Sequence, residues 1–309
     1  MNDAYDARIG IDLGGTKTEI VVLDNRGMEL RRRRVPTPAH DYDSIIETIT
    51  KLVDDSEREL GVNASVGVAT PGAISATSGL IKNANTTALI GRPLDRDLSS
   101  AMGRPVRVDN DANCFALSEA IDGSASDLAV VFGVIIGTGT GGSIVANKRL
   151  LVGRNRIAGE WGHNPMPWPR SDELPGPACY CGKRGCIETF LSGPGMMRDH
   201  AHRTGREAEP SRIAQQAQSG DTDAIETLSR YYDRIARCLT TVVNLLDPDG
   251  IVLGGGMSHL PGLGAQIEKR LDSLVFSDTC NTPIRLAAHG DASGVRGAAW
   301  LWPAPSSGS

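Results

Sequence analysis

Two glycine-rich turns of similar sequence each join two apolar strands, and this repeat constrains the fold more than any other feature of the chain. The first turn, at Gly14-Gly15, lies between a strand that begins at Arg8 and a strand that ends at Asp24. The second turn, Gly137–Gly142, lies about 125 residues further on and is again followed by an alternating strand. Each turn therefore predicts a hairpin, and the two together predict a duplicated α/β architecture.

The segments around the two turns alternate between helical and strand patterns. Before the second turn, the predicted elements are a helix at Tyr42–Leu60, a strand at Ser65–Ala69, a turn at Thr70-Pro-Gly72, a strand at Val106–Val108 and a helix at Cys114–Ala120. After it, they are helices at Arg212–Gln218 and Asp221–Leu245, and a strand at Ile251–Leu253 that leads into Gly254-Gly-Gly256. The longer helix ends at Asp247-Pro248, because proline lacks a backbone donor.

The length of the chain indicates two domains. Its 309 residues are about twice the length of a typical domain. A polar linker at 122–127 separates the two halves. We predict an N-terminal α/β domain at 1–121, a larger C-terminal α/β domain at 122–290, a helix at about 291–303 that completes the first domain, and a disordered tail at 304–309.

Charge and hydropathy exclude several classes of function. The chain has 32 Lys and Arg against 37 Asp and Glu, and this net charge of −5 argues against a nucleic-acid partner. We interpret the only basic run, Arg31–Arg34, as a solvated strand end. Two acids precede the first apolar run and no long apolar stretch follows, so we predict neither a signal peptide nor a membrane partner, and expect a cytoplasmic protein.

Neither glycine turn matches a common nucleotide motif in the required structural context. Gly137–Gly142 satisfies G-x-G-x-x-G, but a dinucleotide fold needs a helix directly after the motif, and here a strand follows. Thr16 stands where a Walker A loop needs lysine. Two interpretations stay open: ordinary hairpin turns, or turns whose backbone amides hold phosphates. Gly254-Gly-Gly256 follows a buried strand and suits the close approach of a ligand.

Four polar residues at strand ends have both structural and chemical interpretations. Asp12 ends the first strand, either as a solvated acid or as a carboxylate that orients a magnesium-bound water near transferring phosphates. Asp109, Asn110 and Asp111 lie at a strand-to-helix junction, where such residues commonly cap the helix. Alternatively, Asp111 takes the proton of a sugar hydroxyl that attacks a γ-phosphate, while Asn110 holds neighbouring hydroxyls. The local sequence leaves both alternatives open.

One imidazole and three closely spaced thiols form a candidate metal centre, which consists of His163, Cys179, Cys181 and Cys186. The glycines between the thiols allow a tight loop, and a Cys3His set is typical of a closed, structural zinc site. Three unpaired core cysteines are the alternative. The remaining cysteines lie in apolar surroundings and are interpreted as packing residues: Cys114, Cys238 and Cys280. Glu160 and Glu188 flank the loop, and carboxylates held in this way suit hydrogen bonding to a polyol.

Taken together, these motifs resemble those of the ROK family of sugar kinases and repressors over essentially the full length. The matching segments, in order, are Asp12-Leu-Gly-Gly-Thr-Lys17, Asp109-Asn-Asp-Ala-Asn113, Gly137-Thr-Gly-Thr-Gly-Gly142, Gly159-Glu-Trp-Gly-His163, Cys179-Tyr-Cys-Gly-Lys-Arg-Gly-Cys186-Ile-Glu188 and Gly254-Gly-Gly256. The resemblance implies an actin-like (hexokinase-type, ribonuclease H-like) duplicated fold, with two α/β domains around a central cleft for ATP and sugar.

The resemblance also implies a role for each candidate residue. Asp111 is expected to be the catalytic base, and the residues expected to bind the sugar are Gly72, Asn85, Asn110, Asp111, Glu160, His163 and Glu188. Those expected to bind ATP are Asp12, Gly14, Gly15, Thr16, Lys17, Gly137, Thr138, Gly139, Thr140, Gly141, Gly142, Gly254, Gly255 and Gly256. The implied cofactors are structural Zn2+ held by His163, Cys179, Cys181 and Cys186, and Mg2+ with ATP. A homodimer is the family expectation.

Three segments look most like the bacterial fructokinases that also accept mannose: 163–168, 179–183 and 295–303. We therefore expect ATP-dependent phosphorylation of the 6-hydroxyl of D-fructose, with mannose as a second substrate. The alternatives within the family are N-acetylglucosamine kinase and glucokinase. Ala88 stands where many relatives have an aromatic residue, three positions after Asn85, and this difference bears on the wall of the sugar pocket.

A non-catalytic sugar-sensing regulator is the alternative from a different class. Repressors of the family carry a helix-turn-helix ahead of the first phosphate strand, and here that strand begins at Arg8. The presence of Asp111 also favours the enzyme.

Overall fold

The computed structural model describes residues 5–82, 84 and 86–303 of the chain, and these group into two compact units. The first unit contains the residues up to Ser126, the segment Lys148–Ala158 and the residues from Asp291 onward. The second contains Asp127–Asn147 and Gly159–Gly290. The division after Ser126 lies a few residues beyond the boundary expected at 121/122, and Lys148–Ala158 groups with the first unit. The tail expected at 304–309 lies outside the described residues.

The helices and strands follow one another in two similar series. Up to Ile121 they are β1 (Ala7–Leu13), β2 (Lys17–Asp24), β3 (Glu29–Pro36), α1 (Tyr42–Leu60), β4 (Ala64–Thr70), β5 (Ala73–Ile74), β6 (Ile81–Lys82), α2 (Leu94–Met102), β7 (Val106–Asn110) and α3 (Asp111–Ile121). From Val130 they are β8 (Val130–Ile136), β9 (Thr140–Ala146), β10 (Arg149–Leu150), α4 (Glu188–Leu191), α5 (Gly193–Thr204), α6 (Pro210–Gln218), α7 (Thr222–Leu246), β11 (Gly250–Gly254), α8 (Leu263–Leu271), β12 (Ile284–Leu286) and α9 (Ser293–Ala299). In the part of the chain that the structure describes, none of these helices is long and apolar enough to cross a membrane.

The first sheet brings the predicted strand-end residues to one edge. Its order is β3-β2-β1-β4-β7. β1 and β2 are antiparallel across the first glycine turn, so the predicted hairpin is confirmed. β4 is parallel to both β1 and β7, and its Ala69 lies opposite Asp12 on one side and Asp109 on the other. Asp12 and Asp109 therefore lie in one row across the sheet.

The basic run Arg31–Arg34 lies within the edge strand β3 and not at a strand end, but it is solvated as predicted, since Arg32, Arg33 and Arg34 are exposed. Arg32 and Arg34 form ion pairs with the buried Glu19 of β2, at nitrogen-to-oxygen distances of 3.1 and 2.5 Å. Arg31 pairs with Glu59 of α1. These acidic partners lie on other elements, so the local sequence did not indicate the ion pairs.

Three glycines allow the C-terminal helix α9 to lie directly on the first sheet. A Cβ atom at Gly10 of β1 or at Gly67 of β4 would stand 1.9 Å from a backbone oxygen of α9. A Cβ atom at Gly297 of α9 would stand 1.6 Å from the backbone oxygen of Cys114 in α3. Such distances are far inside van der Waals contact, so a side chain at these positions would push α9 away from β1, β4 and α3.

The sheet of the second unit repeats this topology. Its strands β9-β8-β11-β12 follow the order of β2-β1-β4-β7 in the first sheet. β8 and β9 are antiparallel across the second glycine turn, and β11 is parallel to both β8 and β12. The predicted duplication and the second hairpin are therefore confirmed.

The long helix α7 holds the proline-rich loop that leads into the cysteine cluster. Arg234 and Arg237 of α7 each donate to the buried carboxylate of Glu173 at 2.8 Å. Arg237 also donates to the backbone oxygen of Trp168 at 2.8 Å. Hydrogen bonds between charged groups are stronger than neutral ones, so this network anchors the loop to the core of the second unit.

Candidate active site

The junction of β7 and α3 uses two of its three polar residues to hold the backbone. Asn110 caps α3, because its Oδ1 accepts the backbone N–H of Asn113 at 2.6 Å. Asp109 accepts from the Asn113 side-chain amide at 2.7 Å and from the backbone N–H of Asn110 at 2.8 Å. The capping interpretation is therefore confirmed for Asn110, and the junction presents Asp111 at the first turn of α3.

Asp111 combines solvent access with incomplete solvation. Its Oδ1 accepts the backbone N–H of Ala112 at 2.8 Å, and among the described residues no donor is found for its Oδ2. The residue is exposed, yet the surrounding protein atoms remove part of the hydration of the carboxylate and raise its pKa. An accessible carboxylate with a raised pKa is suited to general-base catalysis, because a substrate can reach it and its pKa lies closer to working pH.

Asp12 forms no ion pair among the described residues, and the charges of Lys17 and Arg34 offset only part of the rise in its pKa. Burial, followed by the charge of Asp111, raises its pKa to about 6. The charge of Glu19, its neighbour across the hairpin, also contributes to this rise, although Glu19 forms ion pairs with Arg32 and Arg34. Carboxylate oxygens are the ligands that Mg2+ prefers, and a divalent cation would relieve the repulsion between Asp12 and Asp111. The residues present therefore fit the Mg2+ that the resemblance implies.

The first glycine turn is rigid at its base and open at its tip. The backbone N–H of Gly14 donates to the oxygen of Lys17 at 3.0 Å, and the Thr37 hydroxyl donates to the oxygen of Gly14 at 2.8 Å. Gly15, Thr16 and Lys17 are exposed. The turn therefore presents reachable backbone amides and one ammonium group, which is the arrangement that an anionic ligand requires.

In the second glycine turn, neighbouring residues leave no room for a side chain at two of the glycines, whereas a third has open space beside it. A Cβ atom at Gly139 would stand 2.7 Å from a carboxylate oxygen of Glu188, and one at Gly142 would stand 2.6 Å from the ring of Trp161. Glu188 also accepts the backbone N–H of Thr140 at 3.0 Å, and the Trp161 indole donates to the oxygen of Gly141 at 3.1 Å. These contacts fix the turn against the segment that carries Glu188.

Gly137 is different, because no described atom lies within 4 Å of its Cβ position and its φ is not in the left-handed region. Gly256 has the same property. Gly255, directly before Gly256, has a φ of 79°, and its Cβ would stand 2.4 Å from the oxygen of Ile136, directly before Gly137. A glycine with open space beside it suits the close approach of a ligand to the backbone, so Gly137 and Gly256 fit a nucleotide. The exposed Thr138 and the strand-end Gly254 complete this set.

The predicted sugar loop of the first unit is described only in part. Gly72 has a φ of 87°, and a Cβ there would stand 2.4 Å from the oxygen of Lys82, so the turn needs glycine. Asn85 lies outside the described residues, and its role stays a prediction. Ala88 is half-buried and packs against the apolar core of the first unit.

Glu160, His163 and Glu188 lie around Tyr180 in the second unit. Trp161–His163 forms a 3-10 turn directly after Glu160, and Glu188 begins α4. The charges of Glu188 and Glu160 both contribute to a raised pKa of Tyr180, after the larger effect of burial. The two carboxylates therefore lie within electrostatic range of one hydroxyl, that of Tyr180.

The four predicted metal ligands converge on one point. The ligand atoms of His163, Cys179, Cys181 and Cys186 all lie within 4.8 Å of one another. His163 Nδ1 is 3.6 Å from Cys179 Sγ, and Cys181 Sγ is 3.6 Å from Cys186 Sγ. A tetrahedral zinc site with the usual bond lengths has sulfur-to-nitrogen distances of about 3.6 Å and sulfur-to-sulfur distances of about 3.8 Å. The cluster therefore fits structural Zn2+, and three unrelated core cysteines would not share this geometry.

Two site features were missed by the sequence analysis. Tyr180 contacts His163, and Trp161 supports the second glycine turn. Their position gave a signal, since Tyr180 stands between two ligand cysteines and Trp161 lies within the Gly159-Glu-Trp-Gly-His163 motif. Their partners are distant in sequence or depend on loop geometry, so residue type alone did not indicate the contacts.

Comparison with known proteins identifies the same family that the motifs indicate. The model of the ROK family matches residues 8–304. The chain belongs to the ROK family. It is similar to the ROK hexokinase of Thermus thermophilus, with a TM-score of 0.85 and 31% identity over 95% of this chain and 97% of that chain. It is also similar to a ROK glucokinase of Streptomyces griseus solved with glucose and AMPPNP, with a TM-score of 0.75 and 27% identity over 96% and 98% of the two chains. The predicted actin-like, hexokinase-type fold class is confirmed.

The curated ROK relatives bear on the sugar. The N-acetyl-D-glucosamine kinase of Pectobacterium atrosepticum is 40% identical over 296 residues, which are 94% of this chain and 97% of the relative. That of Escherichia coli O127:H6 is 39% identical over 297 residues, 94% of this chain and 98% of the relative. The expected preference for fructose is not supported by these relatives, which favour the alternative, an N-acetylglucosamine kinase.

Proposed function

We propose that this chain is an ATP-dependent sugar kinase that phosphorylates the 6-hydroxyl of N-acetyl-D-glucosamine. The observation that carries the choice of sugar is the 40% identity to an N-acetyl-D-glucosamine kinase over almost the full length of both chains. The accessible Asp111 carboxylate, the two glycine turns and the Asp12 carboxylate support the kinase chemistry.

Asp111 accepts the proton of the sugar hydroxyl as that oxygen attacks the γ-phosphate. Its raised pKa makes it a better base than an ordinary carboxylate. The hydrogen bond from Ala112 to its Oδ1 holds the side chain, so Oδ2 is the atom that takes the proton. Phosphoryl transfer needs positioning and charge stabilisation more than covalent chemistry, and a held carboxylate supplies the first of these.

ATP is held by the residues at the two glycine turns and by Gly254–Gly256. The exposed amides of the first turn and the ammonium of Lys17 neutralise phosphate oxygens. Mg2+, held through Asp12, supplies charge neutralisation of the phosphates when it is bound. Gly137 and Gly256 leave room for the nucleotide beside the backbone.

The sugar hydroxyls and the acetamido group are bound by Gly72, Asn85, Asn110, Glu160, His163 and Glu188. The zinc loop has a structural role, because its four ligands close the tetrahedron and leave no position for substrate. We also propose that the chain forms a homodimer and is located in the cytoplasm.

A coupled assay of ADP release with Mg-ATP tests the sugar and the reaction together. N-acetylglucosamine, fructose, mannose and glucose are compared at equal concentrations, and a mixture without sugar gives the background hydrolysis. We expect the highest kcat/KM on N-acetylglucosamine. A higher value on fructose or glucose would overturn the sugar assignment, and sugar binding without turnover on any of the four would favour a sensor instead.

A further inference from the structure

His163 has two different partners, one for each ring nitrogen. Nδ1 lies 3.6 Å from Cys179 Sγ, on the side of the metal cluster. Nε2 lies 2.9 Å from the hydroxyl of Tyr180. The two rings also meet edge to face, with their centres 5.1 Å apart and their planes at 88°. The imidazole is therefore held at both nitrogens and against one ring edge.

With Zn2+ bound, this arrangement would determine the tautomer of His163. A nitrogen that binds Zn2+ has no proton, so a neutral imidazole with Nδ1 on the metal side carries its proton on Nε2. In the sugar-free protein, Nε2–H then donates to the Tyr180 oxygen, and a sugar hydroxyl that binds His163 would replace Tyr180 as the acceptor. Metal-bound histidines generally donate their second N–H to an oxygen acceptor, which orients the ring and raises the basicity of the ligand nitrogen.

We infer that Tyr180 is a positioning residue for the metal centre, whose hydroxyl orients His163 so that Nδ1 faces the three thiolates. Tyr180 lies between Cys179 and Cys181 in the chain, so binding of the metal to these two neighbours also limits where its ring can go. The inference depends on the zinc site and not on the identity of the sugar.

The surroundings of the Tyr180 hydroxyl support this role. The ring is 77% exposed, so it adds little to the apolar core and its position is not explained by burial. The hydrogen bond and the ring contact recorded for this side chain both go to His163, so its position is explained by that imidazole.

The test compares zinc release from the full-length wild-type protein and from Tyr180→Phe. Both proteins are loaded with Zn2+, their zinc content is measured, and an excess of a chromogenic chelator then reports the rate of release. Loss of such a hydrogen bond typically costs 10–100-fold in metal affinity, and we expect release about tenfold faster because Tyr180 is exposed. Tyr5→Phe, which removes a tyrosine hydroxyl from the first unit, should release zinc at the wild-type rate.

A second readout separates positioning from a general structural effect. With Co2+ in place of Zn2+, the visible bands report the geometry of the ligands, and they should shift in Tyr180→Phe but not in Tyr5→Phe. Tyr180→Trp keeps an aromatic ring but offers only a donor, so it should behave like Tyr180→Phe. Equal release rates with unchanged Co2+ bands would overturn the inference, as would a wild-type protein that takes up no zinc.

Discussion

Asp12 and Asp111 are two acids of the first unit whose charges disfavour each other. In the folded chain the pKa of Asp12 is raised from 3.8 to about 6, mainly by burial and then by Asp111. The folded state therefore holds this proton more tightly than the unfolded chain does. Stability from this group is greatest below pH 3.8 and decreases as the pH rises through about 6.

At the residue scale, this pH dependence predicts that removal of the Asp12 charge raises stability and lowers activity. In the absence of Mg2+, Asp12→Asn should raise the free energy of unfolding by about 1–2 kcal/mol at pH 7.5, a figure reduced for partial exposure, and by about half as much at pH 5. It should also lower kcat/KM for Mg-ATP, because the neutral amide no longer supports the metal.

Urea unfolding at the two pH values measures the first effect, and the coupled assay measures the second. Asp54→Asn, which changes an exposed acid of α1, is the matched control. Equal gains in stability at both pH values would contradict the assignment of a repulsive carboxylate at position 12.

Residue type predicted the chemistry at some positions and not at others. The Cys3His cluster was predicted from residue type and spacing, whereas the base role of Asp111 was implied only by the resemblance to the ROK family and stays a prediction. For Asn110 the sequence left capping and sugar binding open, and the structure adds the capping bond to Asn113. The ion pairs of Glu19 were not predicted, because its partners Arg32 and Arg34 come from a neighbouring strand.

At the element scale, the packing of α9 depends on the absence of side chains. The backbone oxygen of Cys114 in α3 occupies the place where a Cβ of residue 297 would stand, at 1.6 Å. A backbone atom cannot rotate away as a side chain can, so the helix itself has to move. The same reasoning applies to Gly10 and Gly67, which face α9 from β1 and β4.

Gly297→Ala should therefore lower the free energy of unfolding by about 3 kcal/mol, the upper part of the range for overpacked cores. Gly264→Ala is the matched control, because Gly264 is also helical but its Cβ would meet its nearest atom at an ordinary 3.4 Å. That variant should be neutral or slightly more stable, since alanine favours helix. Denaturant unfolding of both variants measures the difference, and similar stabilities would disprove the close approach of α9.

Helices were easier to predict than short strands. α1, α6 and α7 have clear apolar periodicity, and their predicted bounds agree with the structure within one or two residues. β3 was missed because its run of arginines lacks apolar alternation, and its ion pairs replace that signal. β5, β6 and β12 are only two or three residues long, and a pattern of period two cannot be recognised over such lengths.

At the scale of the whole molecule, the duplication was visible in the sequence because each half begins with a hairpin around a glycine turn. The shared order of four strands in the two sheets confirms it. The grouping of Lys148–Ala158 with the first unit was not predicted. This grouping depends on contacts between segments far apart in the chain, which local periodicity does not report.

We propose the Asp111 carboxylate as the base for phosphorylation of the sugar. The most direct test is the kcat of Asp111→Asn relative to wild type on N-acetylglucosamine with Mg-ATP. Asparagine keeps an oxygen for the backbone N–H of Ala112 and has nearly the same size, so the fold and sugar binding should be retained. We predict a loss of about 10^2–10^4-fold in kcat, the usual contribution of general-base catalysis. A variant that binds the sugar and keeps kcat within a few fold of wild type would show that Asp111 is not the base.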